Sequence, residues 1–259
     1  MNKYNSVFTN QIKISLTYKW NIISGFFVQF FQIITFLFVW RAIFMGGGSV
    51  ESYSLNTMTE YIIIVALIGV IFSSEHIFRT SGLVRNGTLT NILFRPYSFH
   101  IENFFVFFGK KVIEILILIF VIIGLIFFVN FKFNLPSYLD ILLLFSNFIL
   151  LFIFGATLGN LSFWVIQMWP MKPLYGSLMA ILGGGLFPLD LLPNYLGKVI
   201  EVLPFSLFGY VNAKLIQGNL STEQISYFLL ASITWILIFT IIYIITWRLG
   251  LKNYESVNM

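Results

Sequence analysis

The sequence predicts an all-α integral membrane protein, built as a single transmembrane domain over residues 1–259 with six spans. Three observations lead there. Only 10% of the residues are charged and 58% are hydrophobic, whereas an ordinary soluble domain carries roughly 25% charged residues. Charges this sparse could not cover the surface of a water-soluble globule of this length, and lipid removes the need. Six apolar runs approach the ~20 residues that a helix needs to cross a bilayer. Between those runs lie short segments with helical periodicity of their own.

The chain opens with "KYNSVFTNQIKISLTYK", in which Tyr4, Val7, Phe8 and Ile12 share one helical side with lysines among the polar positions. This suits an interfacial helix over 3–19 lying on the inner membrane surface, or else a polar leader of no fixed shape. No small-residue cleavage site follows the first apolar run, so no cleaved signal peptide is expected. The six spans are read at 20–44, 61–78, 112–129, 139–165, 174–189 and 225–247, the fifth being short and glycine-rich. "NFKFNLPSY" forms a tight turn between the third and fourth. Six spans put both termini on one side. With that side cytoplasmic, Lys3, Lys13, Lys19, Arg79, Arg85, Arg95, Lys110, Lys111, Lys172, Arg248 and Lys252 lie inside. Only Arg41, Lys132, Lys198 and Lys214 lie outside. The excess of inner Lys and Arg sets the orientation.

The loop 79–103 between spans two and three is therefore cytoplasmic, and it contains "RNGTLTNILFRP" (85–96). Leu89, Ile92 and Leu93 fall at i, i+3, i+4, one side of a helix. Thr88 is placed to cap its start, and Pro96 stops it by removing a donor and turning Arg95 away from helical angles. A helix this short cannot stand alone in water, so it must dock on something.

Catalytic signatures are missing. The sequence has no H-E-x-x-H, no phosphate-loop G-x-x-x-x-G-K-[ST], no G-x-S-x-G and no cysteine. Its basic residues are scattered beside apolar spans, which excludes a nucleic-acid partner. Glu75 and His76 at the inner end of span two, with Glu114 in span three, are the candidates for proton chemistry. They would serve an ion-gradient-driven secondary transporter or channel, but their neighbours Arg79, Lys110 and Lys111 favour ion pairing near the water boundary. Gly155 and Gly159 in span four form a G-x-x-x-G that lets helices pack closely.

"GGGLFPLDLLPNYLGKVIEVLPFSLFGY" (183–210) is apolar yet broken by Gly183, Gly184, Gly185, Pro188, Pro193 and Pro204. Leu192, Leu196, Val199, Ile200 and Leu203 recur at helical spacing between prolines. A pair of half-helices dipping into the outer leaflet over 190–210 and returning fits this pattern, as does an external amphipathic loop. Irregular backbone at membrane depth needs protein or a water-filled cavity beside it.

Together these features resemble the permease subunit of an ABC exporter of the ABC-2 type. "GLVRNGTLTNILFRPYS" (82–98) is similar to the family's coupling segment, and "GGGLFPLDLLPNYLGKVIEVLPF" (183–205) to its glycine, Phe-Pro, Leu-Pro and Pro-Phe pattern. The Arg-Pro pair after the short helix resembles a bacterial subgroup that pairs two permeases of about this size with a separate ATPase. The resemblance implies that Arg85, Gly87, Thr88, Leu89, Ile92, Leu93, Arg95 and Pro96 couple to that ATPase. Leu89, Ile92 and Leu93 would be buried in its cleft. It implies two ATPase copies binding ATP and Mg, with no cofactor on this chain, and a second permease, identical or homologous. The outer gate would comprise Gly183, Gly184, Gly185, Phe187, Pro188, Pro193 and Pro204. The location would be the bacterial cell membrane. A path lined by spans two and five, with Phe72, Phe78, Tyr175 and Phe187, suits a hydrophobic or amphiphilic cargo such as a drug, peptide, lipid or lipid-linked glycan.

Overall fold

A computed structural model describes residues 2–47, 53–129, 136–165 and 167–254. Their regular structure is helical, with no strand among them. α1 (Asn2–Thr17) lies along the first half of α6 (Phe99–Val129). Phe8 stacks on Phe108 and Tyr4 on Phe105. Gly109 admits this approach, since a Cβ there would meet the Phe8 carbonyl at 3.0 Å. α2 (Lys19–Met45) follows after one residue, and only its Ile22 and Trp40 are buried.

α3 (Leu55–Ile71), α7 (Tyr138–Asn160) and α12 (Thr222–Asn253) each begin with a reciprocal capping box, at Ser54/Thr57, Ser137/Asp140 and Ser221/Gln224. Each serine oxygen satisfies one of the amides that a helix start leaves unpaired. α7 forms the centre of the bundle, with Leu143, Leu150 and Leu151 fully buried. α12 runs along it. Asn160 Nδ2 donates to the Tyr243 carbonyl at 3.2 Å, and Thr157 Oγ1 to that of Phe239 at 3.3 Å.

Among the described residues, three helices are long and apolar enough to cross a membrane: Lys19–Met45, Tyr138–Phe163 and Thr222–Asn253. A fourth crossing is possible through Tyr195–Glu201 and Pro204–Ile216, which meet at 68°. The expected second span, 61–78, is not one helix. α3 begins six residues earlier and stops at Ile71. A 3-10 turn (Ser74–His76) and α4 (Ile77–Arg85) then lead to α5 (Leu89–Leu93). The expected fifth span, 174–189, is only the 11-residue α8 (Met171–Ile181). It ends because Gly184 turns the chain at φ +76°, a conformation that side-chain-bearing residues disfavour. α6 is longer than expected, since its 31 residues include the end of the predicted loop. Residues 130–135 of the predicted turn lie outside the described residues. α9 (Asn194–Glu201), α10 (Pro204–Phe208) and α11 (Tyr210–Ile216) complete the chain before α12.

Candidate functional site

Two breaks in the apolar helices carry the residues of interest. The first runs from Phe72 to Pro96. α3 stops without proline or glycine, so its free carbonyls need other partners. Tyr175 donates its hydroxyl to the Phe72 carbonyl at 2.8 Å. Lys111 Nζ reaches Ser73 Oγ at 3.0 Å and the Val70 carbonyl at 3.4 Å. The same ammonium pairs with Glu114 at 2.7 Å, with both side chains at least 95% buried. Glu114 therefore forms the expected ion pair with a neighbouring lysine, and the pair is buried within the bundle. Glu75 pairs with Lys110. His76 Nε2 hydrogen-bonds the Leu151 carbonyl at 2.9 Å.

His76 fits there because α7 presents Gly155 beneath it, where a Cβ would collide with the imidazole. One turn on, a Cβ on Gly159 would stand 3.0 Å from the Ile77 carbonyl and 3.2 Å from Thr80. The two glycines thus seat residues 76–80 on α7. Arg79 then pairs with Glu102 at 3.1 Å and donates to Asn103 at 2.8 Å. Burial lowers the Arg79 guanidinium from its usual range, and Glu102 beside it acts in the opposite direction.

α5 follows a turn at Gly87, whose φ is +65°. Thr88 does not cap it. The hydroxyl turns back toward the Leu83 carbonyl at 3.5 Å, and no side chain caps the helix start. The apolar face is also divided. Leu89 is 0% exposed and Ile92 is buried, packed with Phe99 and Trp247 and against Phe163, Leu251 and Tyr254. Both therefore dock on this chain rather than offering a face to another. Leu93 is 40% and Phe94 85% exposed. Arg85, Asn91, Arg95 and Pro96 are exposed beside them. Arg95 donates to the Tyr97 hydroxyl at 2.8 Å and lies 3.7 Å from Glu102. Phe94 carried no periodic signal, because it falls outside the i, i+3, i+4 set.

The second break runs from Gly183 to Phe205. Gly183 and Gly209 meet back to back, where a Cβ on Gly209 would strike the Gly183 carbonyl. That carbonyl accepts from the Tyr210 amide at 2.8 Å. Gly184 accepts from the Tyr61 hydroxyl at 2.7 Å, and Leu186 from the Trp40 indole at 3.3 Å. Pro188 and Pro193 precede a 3-10 turn and α9, while Pro204 opens α10, where its missing amide is no loss. Phe187 is half-buried against the core. Sequence reasoning missed the groups that fasten this segment. Asp190 accepts from the Tyr53 hydroxyl at 3.0 Å and pairs with Lys214 at 2.8 Å. The Lys214 ammonium also lies 4.8 Å from the Tyr53 ring centre. Asn147 donates to the Leu207 carbonyl at 3.0 Å and to Asn212 at 2.8 Å. A polar residue such as Asn147 inside "LLLFSNFILLF" was the available signal.

Taken alone, this geometry gives a membrane bundle with one exposed, anchored helix and one folded-back helical segment. A family described as "ABC-2 family transporter protein" matches residues 30–258. The chain belongs to that family. It is therefore a multi-pass membrane protein and a permease of an ABC transporter, the component that works with an ABC ATPase. A search of curated proteins finds no match.

Proposed function

We propose that this permease crosses the membrane six times and exports a hydrophobic or amphiphilic cargo, using ATP hydrolysed with Mg on two copies of a separate ATPase. The crossings are α2, α3, the second half of α6, α7, α8 with the folded-back segment, and α12. Both termini face the cytoplasm of a bacterial cell, as the inward bias of Lys and Arg favours. Gly183 to Pro204 then form a re-entrant gate on the outer side. A second permease, identical or homologous, completes a path lined by α3 and α8.

The observation that carries the reading is the division of α5 into an anchored face and an exposed ridge. Leu89 and Ile92 fix the helix to α6 and α12 through Phe99 and Trp247. Leu93, Phe94, Arg95 and Pro96 stand outward, where an ATPase cleft can grip apolar side chains flanked by positive charge. Closure of the ATP-bound ATPase would push on the ridge. The anchored face would hand that push to α6 and α12, and α4 with the 3-10 turn before it would carry it to α7 through His76 and Leu151. Glu75 and Glu114 are left as structural partners of Lys110 and Lys111 rather than as an energy source.

The test is retention of the ATPase on the purified permease. Phe94→Asp and Leu93→Asp each place a carboxylate in the cleft, and burying an unpaired charge costs several kcal/mol, roughly enough to abolish a micromolar contact. Both variants should lose the ATPase while the permease keeps its unfolding temperature. Wild-type retention in both would overturn α5 as the coupling element. Leu89→Asp is not a clean version of this test, because it would unseat α5 from its own chain.

A further inference from the structure

We infer that the cavity between α2, α3 and α8 is a binding site for an amphiphile with an anionic head group. The cavity holds about 380 Å³, within the roughly 300–1,000 Å³ of small-molecule sites. Its long wall is one face of α8, where Lys172, Tyr175, Gly176 and Met179 recur at helical spacing. Lys172 and Ser73 stand at one end, because the first begins α8 and the second follows the end of α3. The opposite end is apolar, with Val65 and Met179. That is the polarity of a head group and a tail.

The cavity lining carries unused valence. Among the described residues Lys172 has no carboxylate within ion-pair distance, and Gln29 and Gln32 have no side-chain hydrogen bond. Two free amides spaced i, i+3 within a largely apolar stretch of α2 are unfavourable unless something polar meets them. Both line the cavity, and Gln29 lies 3.8 Å from where a Cβ of Gly69 would stand. A smaller adjoining cavity of about 110 Å³ shares Gln29, Gly69 and Ser73 and is lined by Glu75, Lys110 and Glu114. Its two carboxylates are already matched, Glu75 by Lys110 and Glu114 by Lys111. Lys172 is therefore the uncompensated charge at this end, and its sign selects an anion. As a cargo site this rests on the permease reading; as a binding site it does not.

The test uses the full chain in phosphatidylcholine nanodiscs with Gly176→Cys, in a sequence that has no other cysteine. A Cβ at Gly176 meets nothing within 4 Å. The measurement is the rate of modification by N-ethylmaleimide in the presence of dodecyl phosphate, dodecanol or dodecyltrimethylammonium. Dodecyl phosphate should protect at the lowest concentration. Adding Lys172→Gln should raise its half-protection concentration about tenfold, as the loss of one charge-assisted hydrogen bond does. Lys198→Gln, on α9, should leave that concentration unchanged. Equal protection by all three compounds, or no effect of Lys172→Gln, overturns the site. Nanodiscs containing phosphatidylglycerol separate the sources. Protection without added dodecyl phosphate marks a bilayer lipid as the occupant, and protection only with it marks a molecule delivered from water; either supports the site. Retention of the ATPase is read on the same preparation. ATPase retained with unselective protection overturns the site alone, while selective protection without ATPase leaves the site standing and overturns the export reading.

Discussion

The two helical breaks solve the same problem with different groups. Between Phe72 and Pro96 the break is lined by ion pairs: Lys111 reaches the Val70 carbonyl while paired with Glu114, Arg79 pairs with Glu102 nearby, and only the Phe72 carbonyl takes a neutral donor, the Tyr175 hydroxyl. Between Gly183 and Phe205 the freed carbonyls are met by neutral donors, the Tyr61 hydroxyl, the Trp40 indole and the Tyr210 amide. The ion pair Asp190–Lys214 sits at the edge of that region, with Asp190 exposed. Neutral donors close a break without the desolvation penalty of a charge, so that region can fold inward on itself. Ionic closure is costlier to bury. It holds the first region rigid at the end that presents Leu93 and Phe94.

The comparison is most easily broken at Lys111. Lys111→Met leaves Glu114 buried without its cation, which should cost about 3–5 kcal/mol and lower the thermal unfolding midpoint of the purified permease. Lys111→Met with Glu114→Leu should recover most of the loss. If the single change is silent, the first break is not held by charge.

A smaller effect separates the two sides of α5. Leu89→Ala should cost about 2–5 kcal/mol as a cavity in a packed cluster, and Leu93→Ala less than about 0.5 kcal/mol, as an exposed substitution does. Denaturant unfolding in detergent compares them directly. Equal losses would mean that the two leucines share one environment.

The smallest effect sharpens the second region. Gly209→Ala forces a Cβ onto the Gly183 backbone and should cost about 1–3 kcal/mol, as overpacking does. Gly176→Ala, in open space on α8, should be neutral or slightly stabilising by the same measurement. A tolerated Gly209→Ala would show that the two glycines do not need their close approach.

Much of this architecture can be read from the residues. The prolines and glycines of 183–205 mark helix ends that do occur there, because each acts through its own backbone. The apolar set Leu89, Ile92, Leu93 marks a helix for the same reason. What it cannot mark is the neighbour. Leu89 and Leu93 carry identical side chains, and only the positions of distant neighbours such as Phe99, Phe163 and Trp247 make one interior and the other exposed. The stop at Ile71 is likewise illegible, since Phe72 and Ser73 do not break helices by themselves; Tyr175 and Lys111 stabilise the stop from other helices. The Lys111–Glu114 pair was legible from its spacing, but its burial was not, because spacing along a helix says nothing of what packs over it. The three serine capping boxes were readable as Ser followed three residues later by Thr, Asp or Gln, and they fix where α3, α7 and α12 begin.

The floor beneath α5 has a consequence for biosynthesis. A five-residue helix cannot persist by itself, and Leu89 and Ile92 find their cover on Trp247, Leu251 and Tyr254. Until the ribosome has delivered α12, the segment has only Phe99, Phe163 and its own neighbours Leu83 and Val84 to settle on. A nascent or truncated permease thus lacks the finished floor of α5, and if α5 is the coupling element proposed above, recruitment of the ATPase waits for the finished chain.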